Sequence, residues 1–270
     1  MSSERERRSL PSTLYTEDYF LNACEGYEEF SETHGERLSR RLQAAFAVAA
    51  IEPGMRVLDV GCGRGEILRH CARIGAQAHG IDYAEVAVQM SRDALREETD
   101  EKVRAAIGVY RADAKHLPYP DGVFDRVVIF DVVEHLYPWE LDAALKDIRR
   151  VLKAGGMIAV HTAPNRWYDR YAYPWVRLLR RMQGRGAQYP SDPRAFNVAA
   201  NVDVHVNEQD ILSMRRYLQR AGFRRVKVWL DSPPQNRRET PPSRVLRKVA
   251  FDLPPFRWFF EREVFAVGSK

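Results

Sequence analysis

Five side chains in the middle of this 270-residue chain are suited to handling protons: Asp131, Glu134, His135, His161 and His205. Asp131, Glu134 and His135 stand at i, i+3 and i+4, so a helical backbone would turn two carboxylates and an imidazole to one side. Such a set suits a hard or borderline divalent ion. Without an ion, the imidazole is left as a base or as a group that orients a substrate. His161 lies in the apolar run IAVHT, where a core histidine is the commoner outcome, and His205 follows a long irregular stretch.

The elements that must position these groups are organised around residues 57–66, VLDVGCGRGE. A short aliphatic run ends in glycines 61, 63 and 65, and an apolar-periodic stretch (Ile67, Leu68, Cys71, Ile74) follows. This pattern reads as strand, tight turn, helix. A turn without Cβ atoms lets a ligand lie against backbone N–H groups. The spacing G-x-G-x-G departs from the dinucleotide fingerprint G-x-G-x-x-G. Asp59 and Glu66 would repel a pyrophosphate and attract a ligand carrying an ammonium and a sulfonium. A second strand, Gln77–Asp82, ends in a carboxylate able to accept both ribose hydroxyls of a nucleoside. Its other reading is an N-cap for the helix over 84–97.

With these residues in place, the stretch resembles motif I of the class I S-adenosylmethionine (SAM) dependent methyltransferases. The resemblance implies a doubly wound, seven-stranded Rossmann-like α/β sheet of order 3-2-1-4-5-7-6 with strand 7 antiparallel. It implies SAM as cofactor, held by Asp59, Gly61, Cys62, Gly63, Gly65, Asp82, Tyr83 and Phe130. Asp113 would meet the adenine amino group and the Ala114 N–H a ring nitrogen. LKAGGMIAVHTAPN resembles the family's L-K-P-G-G hairpin, with alanine in place of proline. D-x-x-E-H at 131–135 resembles the E-x-x-E-H of ubiquinone-biosynthesis O-methyltransferases, its first arm one methylene shorter. His205 matches a position from which the family often points a histidine at the acceptor. We therefore expect His135, Glu134 and His205 to be the catalytic set, working without a metal. The motif [DNS]-P-P-[YFW] of base-amino methyltransferases is missing after strand four, and Ser232-Pro233-Pro234-Gln235 lacks the aromatic. Nucleic-acid bases are disfavoured as acceptors.

The rest of the chain bounds the architecture. Residues 1–52 read as an N-terminal arm with helices over 16–24 and 35–50, whose aromatics (Tyr15, Tyr19, Phe20, Tyr27, Phe30) either cover the cleft as a lid or pack on the core. Residues 53–270 read as the SAM-binding core, interrupted by insertions at about 164–206 and 232–262. Strands are expected over 104–110, 124–130, 157–162, 226–230 and 264–267, and helices over 139–152 and 208–221, the last capped by Asn207. Near-continuous apolarity over 124–130 marks a central strand of a parallel sheet.

Three cysteines without C-x-x-C pairing argue against disulfides or thiolate zinc. The absence of a long apolar run, together with a charged start, points to a cytoplasmic protein without signal peptide or membrane span. Charge is uneven: net −6 through Ala163 against +11 in the remaining 107 residues. Both insertions mix arginine with large aromatics, Trp167 to Arg181 in one and Arg244 to Arg262 in the other. They read either as structural padding or as a basic, partly apolar cover for the acceptor, with peripheral contact at a membrane surface. The function expected is methyl transfer, chiefly O-methylation, to a small-molecule, glycan or lipid-linked acceptor. The alternative is a catalytically silent SAM-fold module that binds RNA or a protein through its basic half.

Overall fold

The computed structural model describes residues 8–24, 26–33, 35–196, 199–231 and 254–270. The 232–235 motif and most of the second expected insertion therefore lie outside the described residues.

Seven strands form one sheet of order β3-β2-β1-β4-β5-β7-β6. They are β1 (Arg56–Val60), β2 (Gln77–Asp82), β3 (Ile107–Arg111), β4 (Phe124–Phe130), β5 (Leu152–Thr162), β6 (Arg224–Asp231) and β7 (Glu263–Ser269). All neighbours pair in parallel except β7, which runs antiparallel between β5 and β6. Side chains alternate across the central strands with the two-residue period of an extended chain. Val127 and Ile129 pack into one core cluster with α7 (Pro138–Val151) and α10 (Ile211–Arg220). Val128 and Phe130 pack into the other, with α3 (Arg40–Val48) and α4 (Glu66–Arg73). A strand covered on both faces leaves little room for polar residues, which is why β4 is wholly apolar from Val127 to Phe130 and carries Asp125 and Arg126 only at its half-buried start.

The N-terminal helices are α1 (Glu17–Asn22), capped by the Thr16 hydroxyl, α2 (Tyr27–Thr33) and α3. The helix expected over 35–50 begins only at Arg40, because Gly35 is left-handed (φ 81°) and Ser39 accepts the Leu42 N–H as its cap. Helix α5 (Glu85–Arg96) follows β2, and a short helix α6 (Glu101–Ala105), absent from the sequence reading, precedes β3 with Asp100 as cap. The turn expected at 153–156 is instead the bulged start of β5, where the register with β4 slips between Phe124 and Arg126.

Beyond β5 come a single π turn (Tyr168–Ala172), α8 (Tyr173–Met182), two 3₁₀ turns and α9 (Asn201–Val204). The helix expected over 208–221 begins at Ile211: the Asp210 carboxylate accepts the Leu212 and Ser213 N–H groups while the Ser213 hydroxyl accepts that of Asp210. Asn207 is thus not the cap. A short helix α11 (Phe256–Phe260) leads into β7. No helix among the described residues is long and apolar enough to cross a membrane.

Candidate active site

The carboxyl ends of β1, β2 and β4 open into one cavity of about 260 Å³. Where a parallel strand order reverses, the loops on either side diverge and leave a crevice. The glycine loop after β1 forms its floor. The Gly61 and Cys62 N–H groups both donate to the Ile81 carbonyl, at 2.8 and 2.9 Å. A Cβ on Gly61, at φ 79°, would come within 2.3 Å of Val132 Cγ2, so only glycine allows the β1 and β4 loops to approach this closely.

The Gly63 N–H donates to Asp82 Oδ2 at 3.0 Å, and the Ala84 N–H to Asp82 Oδ1 at 2.9 Å. Asp82 therefore ties the loop to β2 and caps the following turn, while each oxygen keeps a lone pair. Burial pushes its carboxyl up, against the pull of these N–H groups. Asp59, wholly enclosed at the end of β1, is pushed up to about 8 by burial and then by the charges of Asp82 and Glu66.

Asp59, Gly61, Cys62, Gly63, Asp82, Tyr83, Asp113, Ala114, Phe130, Glu134, His135 and His205 all line the cavity. Gly65 does not; at φ 84° it starts α4, and a Cβ there would meet Ser91 Oγ at 2.9 Å. Its task is packing of helix on helix. The Cys62 sulfur lies 3.9 Å from the Ser91 hydroxyl, which leaves its backbone as the part turned to the cavity.

The expected convergence of Asp131, Glu134 and His135 does not occur. Asp131 takes φ 53°, and only a 3₁₀ turn, Val133–His135, follows. A left-handed residue breaks the helical spacing, so Asp131 turns under the sheet edge to His161, with Nδ1 2.9 Å from Oδ1. On the other side of that imidazole, Nε2 is 3.4 Å from Glu263, and Arg41 bridges the two acids, 3.3 Å from Glu263 and 3.9 Å from Asp131. Burial alone would lower His161, but the charge of Asp131 together with hydrogen bonds to Asp131 and Glu263 raises the imidazole to about 9. Burial likewise works to raise Asp131, and the charge and hydrogen bond of His161, joined by the charge of Arg41, together hold it below the usual range.

His205 takes the place meant for Asp131. The Val206 and Asn207 N–H groups donate to the Glu134 carbonyl at 2.9 and 3.1 Å, and the Asn207 amide to the Leu136 carbonyl at 2.9 Å. This stitches the segment after α9 onto the 133–136 turn. The His135 and His205 rings stand 5.0 Å apart at 90°. One His135 nitrogen bonds to the Val204 backbone, whereas Nδ1 of each histidine is buried without a partner among the described residues. Burial pushes His135 down to about 3 and His205 to about 4, so both are neutral bases at physiological pH. Glu134 accepts the Thr162 hydroxyl at 2.7 Å, and burial, reinforced by Asp131, raises its carboxyl. Glu134, His135 and His205 bring one ligand atom each to within 4.8 Å of one another, a set able to hold a divalent ion.

The N-terminal arm covers this end. Tyr15 and Tyr19 line the cavity and meet the His135 ring edge-on at 5.7 and 6.4 Å, and the Trp139 indole donates to the Arg8 carbonyl at 3.0 Å. Tyr27 and Phe30 do not line it. Sequence reasoning missed several residues. Arg64, inside the glycine loop, is locked to Glu66 at 2.8 Å and to the Phe20 carbonyl at 2.6 Å, so it fastens the arm to the loop. Lys115 bridges Asp113 and Glu140 at 2.9 and 2.8 Å. Arg262 lines the cavity with Nε buried and without a partner among the described residues, its guanidinium 5.1 Å from the Tyr168 ring. Lys115, two positions after Asp113, had a signal in its spacing; Arg41, Glu263 and Arg262 had none, because the packing of α3 on β5 brings in the first and the pairing of β7 with β5 the other two.

A family described as a methyltransferase domain matches residues 58–160. The ubiquinone/menaquinone biosynthesis C-methyltransferase UbiE of Vibrio vulnificus is 30% identical over 196 residues, which are 68% of this chain and 70% of that protein. Methyltransferase GfsG of Streptomyces halstedii is 35% identical over 127 residues, 47% of this chain but only 43% of that protein. The crystal structure of a SAM-dependent methyltransferase from Archaeoglobus fulgidus superposes with a TM-score of 0.57 at 20% identity, over 90% of this chain and 99% of that one. With the fold, the glycine loop and these relatives in agreement, the chain belongs to the class I S-adenosylmethionine-dependent methyltransferases.

Proposed function

We propose that the enzyme methylates a hydroxyl of a small-molecule, glycan or lipid-linked acceptor, with His135 and His205 receiving the hydroxyl proton. The observation that carries this reading is the pair of uncharged imidazoles, His205 buried and His135 half-buried, each with an Nδ1 that has no partner among the described residues, lining the same cavity as the glycine loop.

The residues present fit the cofactor. Burial works against the charged forms of two enclosed carboxylates, Asp59 and Asp82, and a cationic ligand would offset it at both. Asp82 would accept the ribose hydroxyls with its remaining lone pairs. Asp113, fixed by Lys115, and the Ala114 N–H would meet the adenine, between Tyr83 and Phe130. When bound, SAM supplies a methyl group already activated on a sulfonium.

What remains for the protein is to orient the acceptor, exclude water and take a proton. Tyr15 and Tyr19 shield the site. A hydroxyl oxygen becomes far more acidic as its bond to the incoming carbon forms, so a weakly basic imidazole is sufficient. Because His135 gives one nitrogen to Val204, its Nδ1 is the atom that faces the proton. Glu134, whose carboxyl is raised by burial and by Asp131, serves to hold the turn, through Thr162.

The UbiE relatives, named as C-methyltransferases, favour a second reading, transfer to a carbon, in which the same imidazole removes the proton from that carbon. Transfer of a ¹³C-methyl group from labelled SAM to hydroxylated acceptors, followed by NMR of the product, separates an O-methyl from a C-methyl carbon. His135→Ala is expected to lower turnover by about 10² to 10⁴ in an enzyme that tolerates chelator. Full activity of the variant would remove the proton-accepting role. Loss of wild-type activity in chelator, restored by zinc or magnesium, would reassign Glu134, His135 and His205 as metal ligands.

A further inference from the structure

Helix α8 carries an apolar stripe that no part of the described protein covers. Trp175, Leu178, Leu179 and Met182 fall at i, i+3, i+4 and i+7 and are 71, 48, 46 and 72% exposed. At 100° per residue they span one face of the helix. The opposite face is the anchored one: Tyr173 is buried and donates to the Pro190 carbonyl at 2.8 Å, and Arg177 donates to the Tyr189 carbonyl at 3.0 Å. The helix is thus held in place by its polar side with its apolar side outward, the reverse of a helix that serves a core. Trp258 and Phe256 of α11 are also exposed, at 45 and 49%. Contiguous apolar surface of this kind marks an interaction site.

Charge identifies the occupant. From residue 170 to 191 the chain has five arginines and no acid. Arg181 leaves α8 beside the stripe and Arg185 follows its end, while Arg180 turns to the anchored side, its guanidinium 5.7 Å from the Tyr189 ring. A second copy docking symmetrically would set these arginines against themselves. An anionic bilayer answers both features: the stripe sinks to the level of the acyl boundary, where tryptophan is favoured, while flanking guanidinium groups stay with the head groups. We infer that α8 is an in-plane docking helix for anionic membrane surfaces. The segment it belongs to starts at Pro164, which lines the active-site cavity, so docking would hold the enzyme where lipophilic acceptors reside. The inference does not depend on whether oxygen or carbon is methylated.

The test is co-sedimentation of the full-length protein with vesicles of phosphatidylcholine, with and without phosphatidylglycerol. Binding is expected only with the anionic lipid and should fall with salt. The double variant Leu179→Asp/Met182→Asp alters two exposed side chains and should lose binding by at least about a hundredfold, each residue contributing about tenfold or more. Arg181→Glu/Arg185→Glu should weaken it by about tenfold or more. Both should keep wild-type SAM affinity and wild-type turnover of a water-soluble acceptor, which separates a failure of docking from a failure of the proposed chemistry. Failure of the wild type to bind anionic vesicles at low salt would overturn the inference. So would equal binding by Leu179→Asp/Met182→Asp, or a wild-type dimer in sedimentation that this variant dissolves without any vesicle binding.

Discussion

Removing the Asp82 carboxylate tests the cofactor site most directly, because this side chain has two separable tasks. It accepts one N–H from the glycine loop, at Gly63, and one from Ala84. Its remaining lone pairs are those assigned to the ribose. Hydrogen bonds to a charged group contribute about 1.5–3 kcal/mol. Loss of the ribose interaction in Asp82→Ala should therefore weaken SAM binding by about ten- to 150-fold in Kd. The two orphaned backbone N–H groups would each cost about 1–3 kcal/mol of stability, offset in part because a carboxylate that burial disfavours has gone with them. Asp82→Asn sharpens the comparison. Its amide can accept from Gly63 or Ala84 through only one oxygen and opposes a donor to a donor at the other, so its affinity should lie between wild type and alanine. Titration calorimetry with SAM, alongside urea unfolding of each variant, measures both quantities. Wild-type SAM affinity in a folded Asp82→Ala, or tighter binding of NAD than of SAM by the wild type, would refute the reasoning.

Two further outcomes concern charge. Asp59, raised to about 8, is mainly protonated at pH 6, and a cationic ligand favours its ionised form, so SAM affinity should rise between pH 6 and about 8.5 with release of a proton. Calorimetry in buffers of different ionisation enthalpy reads that proton directly; Asp59→Asn should flatten the profile, and a flat wild-type profile would discard the linkage. His161, raised to about 9, stabilises the fold fully below its unfolded value of about 6.5 and loses that contribution as pH rises through 9; Asp131, lowered, contributes above about 3.9. His161→Gln should cost about 3 kcal/mol, the low end for breaking a buried pair because Arg41 still faces Asp131. The wild-type advantage in denaturant midpoint should shrink between pH 6.5 and 9, and an advantage that grew across that window would contradict the assignment.

What could be read from the chain alone is what depends on neighbours in sequence. The bounds of β2 and β4, the glycine loop and the acid closing β2 follow from short, largely apolar runs, from three glycines and from one strand end. Each is a local pattern enforced by backbone sterics or by burial of a whole face. The order of the sheet came from resemblance, and the parallel crossovers hold to it.

The chemistry was a different matter. The i, i+3, i+4 rule placed Asp131 with Glu134 and His135, but it holds only for a helical backbone, and one left-handed residue sends Asp131 to His161 instead. His205 reaches His135 across seventy residues because two backbone N–H groups find the Glu134 carbonyl, an acceptor that any residue type would offer. His161 and Glu263 meet because β5 and β7 lie side by side, with His161 opposite Phe265 two residues beyond Glu263, and Arg41 joins them because α3 packs on β5. Such contacts carry no signal in composition or spacing: the groups that meet are chosen by strand order and by backbone carbonyls, which every residue shares. The outward face of α8 is of the same kind, since its periodicity is that of a core helix and only the tertiary structure decides which side is left uncovered.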